Sequence, residues 1–403
     1  MKTNWAKGSM ALFAVCLAFG AVAEEPSISR VSVRQRWPWS RLADIDYVLT
    51  ADPTQSVDIV VTAYNGSEQL AIPADAFTGD LYGVGEGAHR IVFDPTKTAY
   101  TNSEVLTKFH VSLTPTPVPL YMIVDLTKAV GAAGQVEYIY PGDARLETYG
   151  RFTNVWFGVT NDSVYATSKL VMRRIHAGSY KLGAYPPTTE VTLTRDLYAG
   201  VFVVTEAQWK RVMQNTSGTT YPQGRVSYND IRGATNDVPR VDWPSTGTAV
   251  GPTNFLGILR AQTGFPDFDL PTCAQWETLC RAGTTSYFND GESTSVNDTN
   301  ILKRVAWCLL NASTLYPVGQ KEANLWGLYD TLGNTFEWCR DWDGTVTGNP
   351  PDPTGPQTGS KRVYMSQNRA VALSSYVPST RSSDVPTFNT TMSFSFRVVR
   401  VLQ

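Results

Sequence analysis

Asn324-Leu325-Trp326-Gly327-Leu328-Tyr329-Asp330-Thr331-Leu332-Gly333-Asn334-Thr335-Phe336-Glu337-Trp338-Cys339-Arg340-Asp341-Trp342 places three tryptophans and four charged side chains around two glycines. Turn residues interrupt the apolar ones throughout, so long hydrogen-bonded ladders are not expected. A domain built from such segments keeps its shape through aromatic packing and bound ions. Trp307, Trp326, Trp338 and Trp342 therefore read first as core, with stacking on a sugar ring as the alternative for an exposed one.

Three helices are expected beside this stretch. Thr205-Glu206-Ala207-Gln208 and Thr272-Cys273-Ala274-Gln275 both have capping-box spacing, in which the Thr hydroxyl and the Gln side chain satisfy each other's backbone N–H groups. A third runs from Asn254 to Thr263 and stops at Gly264, the residue type that tolerates the left-handed turn after a helix. Residues 24–113 read differently. Period-two runs at Ser29–Arg34, Ile45–Leu49, Val57–Val61, His89–Phe93 and Phe109–Leu113, separated by Asp52-Pro53, Asn65-Gly66 and Asp94-Pro95, predict an all-β antiparallel sandwich. Gly83-Val84-Gly85-Glu86-Gly87 lacks the following helix and lysine of a phosphate cradle and reads as a hairpin loop. Alternate prolines in Thr114-Pro115-Thr116-Pro117-Val118-Pro119 predict an extended connector, so 114–168 is read as connector and lead-in, with a strand at Tyr121–Leu126.

Four segments together resemble the formylglycine-generating enzyme family, or sulfatase-modifying factor domain. They are Val203-Val204-Thr205-Glu206-Ala207-Gln208-Trp209, Leu270-Pro271-Thr272-Cys273-Ala274-Gln275-Trp276-Glu277, the 324–342 stretch and Ser395-Phe396-Arg397. They occur in the family's order and span 169–403. The resemblance implies an irregular α+β, C-type-lectin-like fold for that region and is silent on residues 24–113.

Formylglycine formation in that family depends on a cysteine pair that binds copper(I), a soft metal suited to thiolates. No cysteine follows Cys339 here, and the matching positions fall near Asn368 and Leu373 by counting back from Arg381. Copper is therefore not expected, and a non-catalytic protein that binds a protein or glycan ligand is the favoured reading. The alternative is an oxidase or hydrolase using Arg362, Asp341 and Arg381 in the same cleft. The resemblance also implies a structural Ca²⁺ at Asp330, Gly333, Thr335 and Glu337, where two carboxylates and turn carbonyls supply the oxygen ligands that ion takes. Hydrogen bonding of Asp330 and Glu337 to their own loop is the bland alternative. Asn300 and Ile301 are weaker candidates for a second ion.

Composition excludes other classes. Charged residues make up 17% of 403 residues and formal charge is −2, without the basic block of a nucleic-acid binder. Only His89, His110 and His176 are available, too few in one place for a histidine metal centre or a Ser-His-Asp arrangement. Asp341 and Asp343 could form an acid–base carboxylate pair, although capping or solvating a loop is the plainer role.

Lys2 and Lys7 before an apolar run from Met10 to Val22, ending in Ala21-Val22-Ala23, predict a signal peptide at 1–23 and export to a secreted, periplasmic or cell-surface location. That run is too short to span a bilayer, so no transmembrane segment is expected. Cys16 has Val15 where lipoprotein processing wants a small residue. Cleavage removes two of 34 basic residues against 36 acidic ones, leaving −4. Cys273, Cys280, Cys308 and Cys339 remain, with disulfides permitted outside the cytoplasm. Cys273 and Cys280 lie on one helix, roughly 10 Å apart by helical rise and too far for a bridge. Either of them with Cys308 or Cys339, or free buried thiols, stays open.

Overall fold

The computed structural model describes residues 25–402, apart from 37–39, 53–55, 73–75, 99–107, 234–249, 346–349 and 369–370. The expected signal peptide and Cys16 lie outside the described residues. Strands β1 (Ser27–Gln35), β2 (Ala43–Thr50), β3 (Val57–Asn65), β4 (Glu68–Gln69), β5 (Phe77–Gly79), β6 (Gly87–Phe93) and β7 (Phe109–Pro117) build the first part of the chain. They form two antiparallel sheets, in the orders β1-β2-β6-β5 and β4-β3-β7. Ile45, Tyr47 and Leu49 alternate along β2 into one core shared with Ile59 of β3 and Ile91 of β6, as the period-two reading requires. The 83–87 loop does join the antiparallel pair β5 and β6.

The alternate prolines do not make a connector. Pro115 and Pro117 lie within β7, opposite Ile59 and Val57. β7 has a neighbour on one side only, and prolines two residues apart place both missing N–H groups on the same, open edge. Residues 120–168 likewise belong to the second part of the fold. Here β8 (Tyr121–Asp125), β9 (Val136–Ile139), β12 (Lys169–Ile175), β15 (Leu197–Gly200), β16 (Phe268–Asp269) and β21 (Val399–Val401) form an antiparallel sheet ordered β16-β21-β15-β12-β8-β9. Tyr121 and Ile123 pack on one face of it, Met122 and Val124 on the other. A strand buried on both faces needs an unbroken apolar run, which explains the composition of Tyr121–Val124.

Smaller ladders surround this sheet: β10 (Glu147–Tyr149) with β11 (Phe152–Val155), and β13 (Gly178–Leu182) with β14 (Thr189–Leu193). A four-stranded sheet runs β19 (Arg381–Asp384), β18 (Arg362–Met365), β17 (Phe336–Trp342), β20 (Phe394–Ser395). Helices are short: α1 (Glu206–Gln214), α2 (Tyr228–Arg232), α3 (Phe255–Thr263), α4 (Cys273–Arg281) and α5 (Thr299–Val305). Both expected capping boxes form, at Thr205 with Gln208 and at Thr272 with Gln275. Gly264 ends α3 in the left-handed conformation, φ +74°. The second part is thus α+β with little regular structure, and no described helix is long and apolar enough to cross a membrane.

The two parts meet through a buried ion cluster. Arg174 of β12 donates to both Asp58 oxygens of β3, at 2.6 and 2.8 Å, and to Asp196 at 2.7 Å. Beside it lies a cavity of about 330 Å³ lined by Tyr82, Tyr138, Tyr140, Tyr198, Arg174 and Arg400.

Candidate functional site

The 324–342 stretch begins by sealing α4. Asn324 donates to the carbonyls of Leu279 and Cys280, at 2.7 and 3.1 Å, while its oxygen accepts from the Trp326 and Leu328 N–H groups. Gly333 follows in a turn with φ +99°, where a Cβ would stand 2.5 Å from the Trp307 carbonyl. Only glycine fits there, for space as well as for φ. β17 then carries Glu337 into the centre of the domain.

Glu337 is fully buried and accepts from Trp276 Nε1 at 2.8 Å and from Arg397 at 3.1 and 3.2 Å. Arg397 also donates to the carbonyls of Gly200, Val201 and Tyr329. The capping box of α4 sets the helix rotation that aims Trp276 at this carboxylate. Signature residues from three distant segments therefore meet in one knot.

The expected ion-site residues are placed around that knot unequally. Asp330, buried in a left-handed turn at φ +53°, accepts from the Gly319 N–H through one oxygen, and its other oxygen has no partner. Burial lifts its pKa to about 6 against the opposing Gly319 hydrogen bond and the Arg397 charge. The Thr335 hydroxyl is buried and unpartnered as well. Two orphaned oxygens five residues apart are what a hard cation would satisfy. Glu337 fits less well, because both its oxygens already serve Trp276 and Arg397. Among the described residues no three His, Cys, Asp or Glu side chains cluster as metal ligands, so an ion here would draw on carbonyls and Thr335 beside Asp330. Asn300 and Ile301 fall in the first turn of α5, with Ile301 packed on the core.

The remaining candidates separate. Asp341 is buried and accepts from the Cys273 backbone N–H at 2.8 Å, whereas Asp343 is exposed and accepts from the Ser383 hydroxyl at 2.7 Å. They do not form a carboxylate pair. Arg362 is buried between Trp342, 3.4 Å from its ring centroid, and Tyr228, at 4.4 Å, and donates to the Arg340 carbonyl. Its role is packing. Arg381 is exposed and donates to the Gly344 carbonyl. Asn368 accepts from the Tyr376 hydroxyl, and Leu373 packs against the core that contains Cys280 and Cys339. The three histidines stay apart: His89 against Asp80, His110 stacked on Tyr64, His176 against Asp196.

Sequence reading missed two groupings. Arg174 with Asp58 and Asp196 draws on distant segments, Asp58 lying 116 residues before Arg174, and matches no motif. Asp269, buried among Arg232, Arg260 and Arg340, is equally without a local signal, and those three cations hold its pKa far below the usual value against burial.

This combination defines a sulfatase-modifying-factor-like α+β domain preceded by an antiparallel β domain. Residues 161–402 match the model of the sulfatase-modifying factor enzyme 1-like domain, and the chain belongs to that family. A chaperone protein LppX of Paenibacillus barcinonensis is 24% identical over 216 residues, 45% of this chain and 75% of that protein. A formylglycine-generating enzyme of Thermomonospora curvata is 33% identical over 108 residues, 23% of this chain and 36% of the enzyme. A serine/threonine-protein kinase pkn1 of Chlamydia caviae is 34% identical over 100 residues, 23% of this chain and only 15% of the kinase. Among solved structures, Treponema denticola variable protein 1 has 24% identity and a TM-score of 0.44, covering 58% of this chain and 95% of its own. PvdO from Pseudomonas aeruginosa has 18% identity and a TM-score of 0.45, with 58% and 95% covered.

Proposed function

We propose that this family member is exported and binds a ligand without catalysing formylglycine formation. The observation that carries the reading is chemical: no cysteine follows Cys339, so the stretch in which the thiol pair would fall, near Asn368 and Leu373, holds none. Neither side chain binds copper(I) as a thiolate does. Among protein and glycan ligands, a polypeptide is favoured, because the relative matched over 75% of its length is named a chaperone. Ca²⁺ held by Asp330, Thr335 and the Gly333 carbonyl, with Glu337 shared with Arg397, would stabilise the scaffold rather than react. Nucleic acid is not a partner on this reading, since the chain carries 34 basic against 36 acidic residues.

Incubation of the full chain with copper(I), dioxygen and a sulfatase peptide of the C-x-P-x-R type tests the first half. Mass spectrometry should find the peptide cysteine unchanged, and turnover above the protein-free blank rejects the reading. Aggregation of reduced insulin tests the second half: an equimolar amount of this protein should delay it. If aggregation is unaffected while immobilised glycans retain the protein, the glycan alternative replaces the polypeptide one.

A further inference from the structure

Four cysteines are free thiols among the described residues. Cys280 donates its S–H to the Thr331 carbonyl at 3.2 Å, and Cys308 lies against the backbone of Leu310 and Asn311. Cys273 opens α4 and Cys339 sits on β17; both belong to one apolar cluster, and each thiol is near enough to shift the proton affinity of the other. The backbone locks this approach on both sides. Arg340 N–H donates to the Pro271 carbonyl at 2.9 Å, and Cys273 N–H donates to the Asp341 carboxylate at 2.8 Å. The Cys273 thiol lies beside the same carboxylate, close enough for each to perturb the other.

We propose that Cys273 and Cys339 are the site of a reversible disulfide, with Asp341 as the base that takes the Cys273 proton. Burial, the Cys339 contact and the neighbouring Asp341 charge push the Cys273 thiol well above its ordinary pKa. Unassisted thiolate is therefore scarce, and a base in contact becomes the determinant of reactivity. Asp341, raised to about 6 by burial against the hydrogen bonds of Cys273, is still ionised at neutral pH and able to accept that proton. Exposure sets the order of events. Cys273 is the less buried residue of the two, so it meets an external low-molecular-weight disulfide, R–S–S–R, before Cys339 does.

Its thiolate attacks one sulfur, forming a Cys273–S–S–R bond as the R–S–S–R bond breaks, and the departing thiolate takes the proton held by Asp341. Cys339 then attacks the Cys273 sulfur and expels the second R–S–H, which carries the Cys339 proton. Two protein thiols are oxidised by two electrons, and one external disulfide is reduced to two thiols. The inference is independent of any ligand bound elsewhere on the domain.

The full chain is incubated with excess oxidised glutathione at pH 8, alkylated with iodoacetamide in denaturant, and digested without reduction. The expected product is a linked peptide pair containing Cys273 and Cys339, with Cys280 and Cys308 alkylated and the link undone by dithiothreitol. Cys339→Ser should instead accumulate glutathione on Cys273. Asp341→Asn, which keeps an acceptor for the Cys273 N–H but cannot take a proton, should slow linkage about tenfold or more. Retention of all four alkylation sites, a link through Cys280 or Cys308, or absence of the Cys273 adduct in the serine variant overturns the site. Linkage at the wild-type rate in folded Asp341→Asn overturns the role of the base.

Discussion

Arg397 and Glu337 form an ion pair with both side chains removed from solvent, and the five guanidinium hydrogen bonds of Arg397 leave no donor idle. Desolvating both charges is costly, and the geometry offsets it only while both partners are present. Arg397→Met should therefore cost about 3–5 kcal/mol, because it strands the Glu337 carboxylate and three backbone carbonyls. The double substitution with Glu337→Gln should recover part of that loss. Equilibrium denaturation of the wild type and the two variants provides the comparison, and an Arg397→Met change under about 1 kcal/mol would contradict the assignment.

Arg174 plays the matching role between the two parts of the chain, with its side chain fully buried against Asp58 and Asp196. Arg174→Met leaves two carboxylates without their cation in a site of low dielectric. The expected loss is again about 3–5 kcal/mol, concentrated on the contact between the β domain and the rest. Calorimetry should show one transition for the wild type and two for the variant. A single transition with an unchanged midpoint would mean that the ion cluster does not couple the parts.

Much of the second domain was legible because its signals are local. The Thr205 and Thr272 capping boxes and the Gly264 stop are chemistry within four residues, and each forms as read. The four signature segments were legible as a set, but not why they are kept together. That reason is the convergence of Trp276, Glu337 and Arg397, which only tertiary structure brings about. Prolines misled for a physical reason: Pro115 and Pro117 suit an extended connector and an edge strand equally, and what distinguishes the two is whether a neighbour such as Ile59 lies alongside. The candidate site divides in the same way. Asp330 and Thr335 keep spare oxygens, while Glu337 is claimed by an arginine sixty residues further on. For Asp341 the plainer expectation was capping or solvating its own loop, and what it accepts from is the Cys273 N–H, 68 residues earlier.

Acid should weaken the interdomain cluster in a defined window. Burial alone would raise the Asp196 carboxyl, but the His176 hydrogen bond, the Arg174 charge and the Ala177 N–H outweigh it and bring it to about 2, against an ordinary 3.8. A depressed carboxylate stabilises the fold above the unfolded value and loses that contribution as pH falls through the folded one. The contribution is about 2 kcal/mol, present at pH 5 and largely lost by pH 2. Urea midpoints of wild type and Asp196→Asn, measured at pH 5, 3.5 and 2.5, isolate it from other carboxylates. The gap between the two proteins should close as pH falls, and a gap independent of pH would refute the mechanism.

Calcium provides the last test, since the unpartnered oxygens of Asp330 and Thr335 are the features that favour an ion. A ligand that binds only the folded state stabilises it by about 2.7 kcal/mol at a hundredfold excess over its dissociation constant. Protein stripped with chelator should therefore melt several degrees higher after millimolar Ca²⁺ is restored, and Mg²⁺ should do less, because it demands tighter octahedral geometry and sheds water reluctantly. Asp330→Ala should abolish the shift, whereas Asp343→Ala, at an exposed carboxylate outside the turn, should leave it intact. A wild-type melting temperature indifferent to calcium would leave Asp330 as a buried carboxyl held by the Gly319 N–H alone, and the turn would then be maintained by Gly333 and the Glu337–Arg397 pair without an ion.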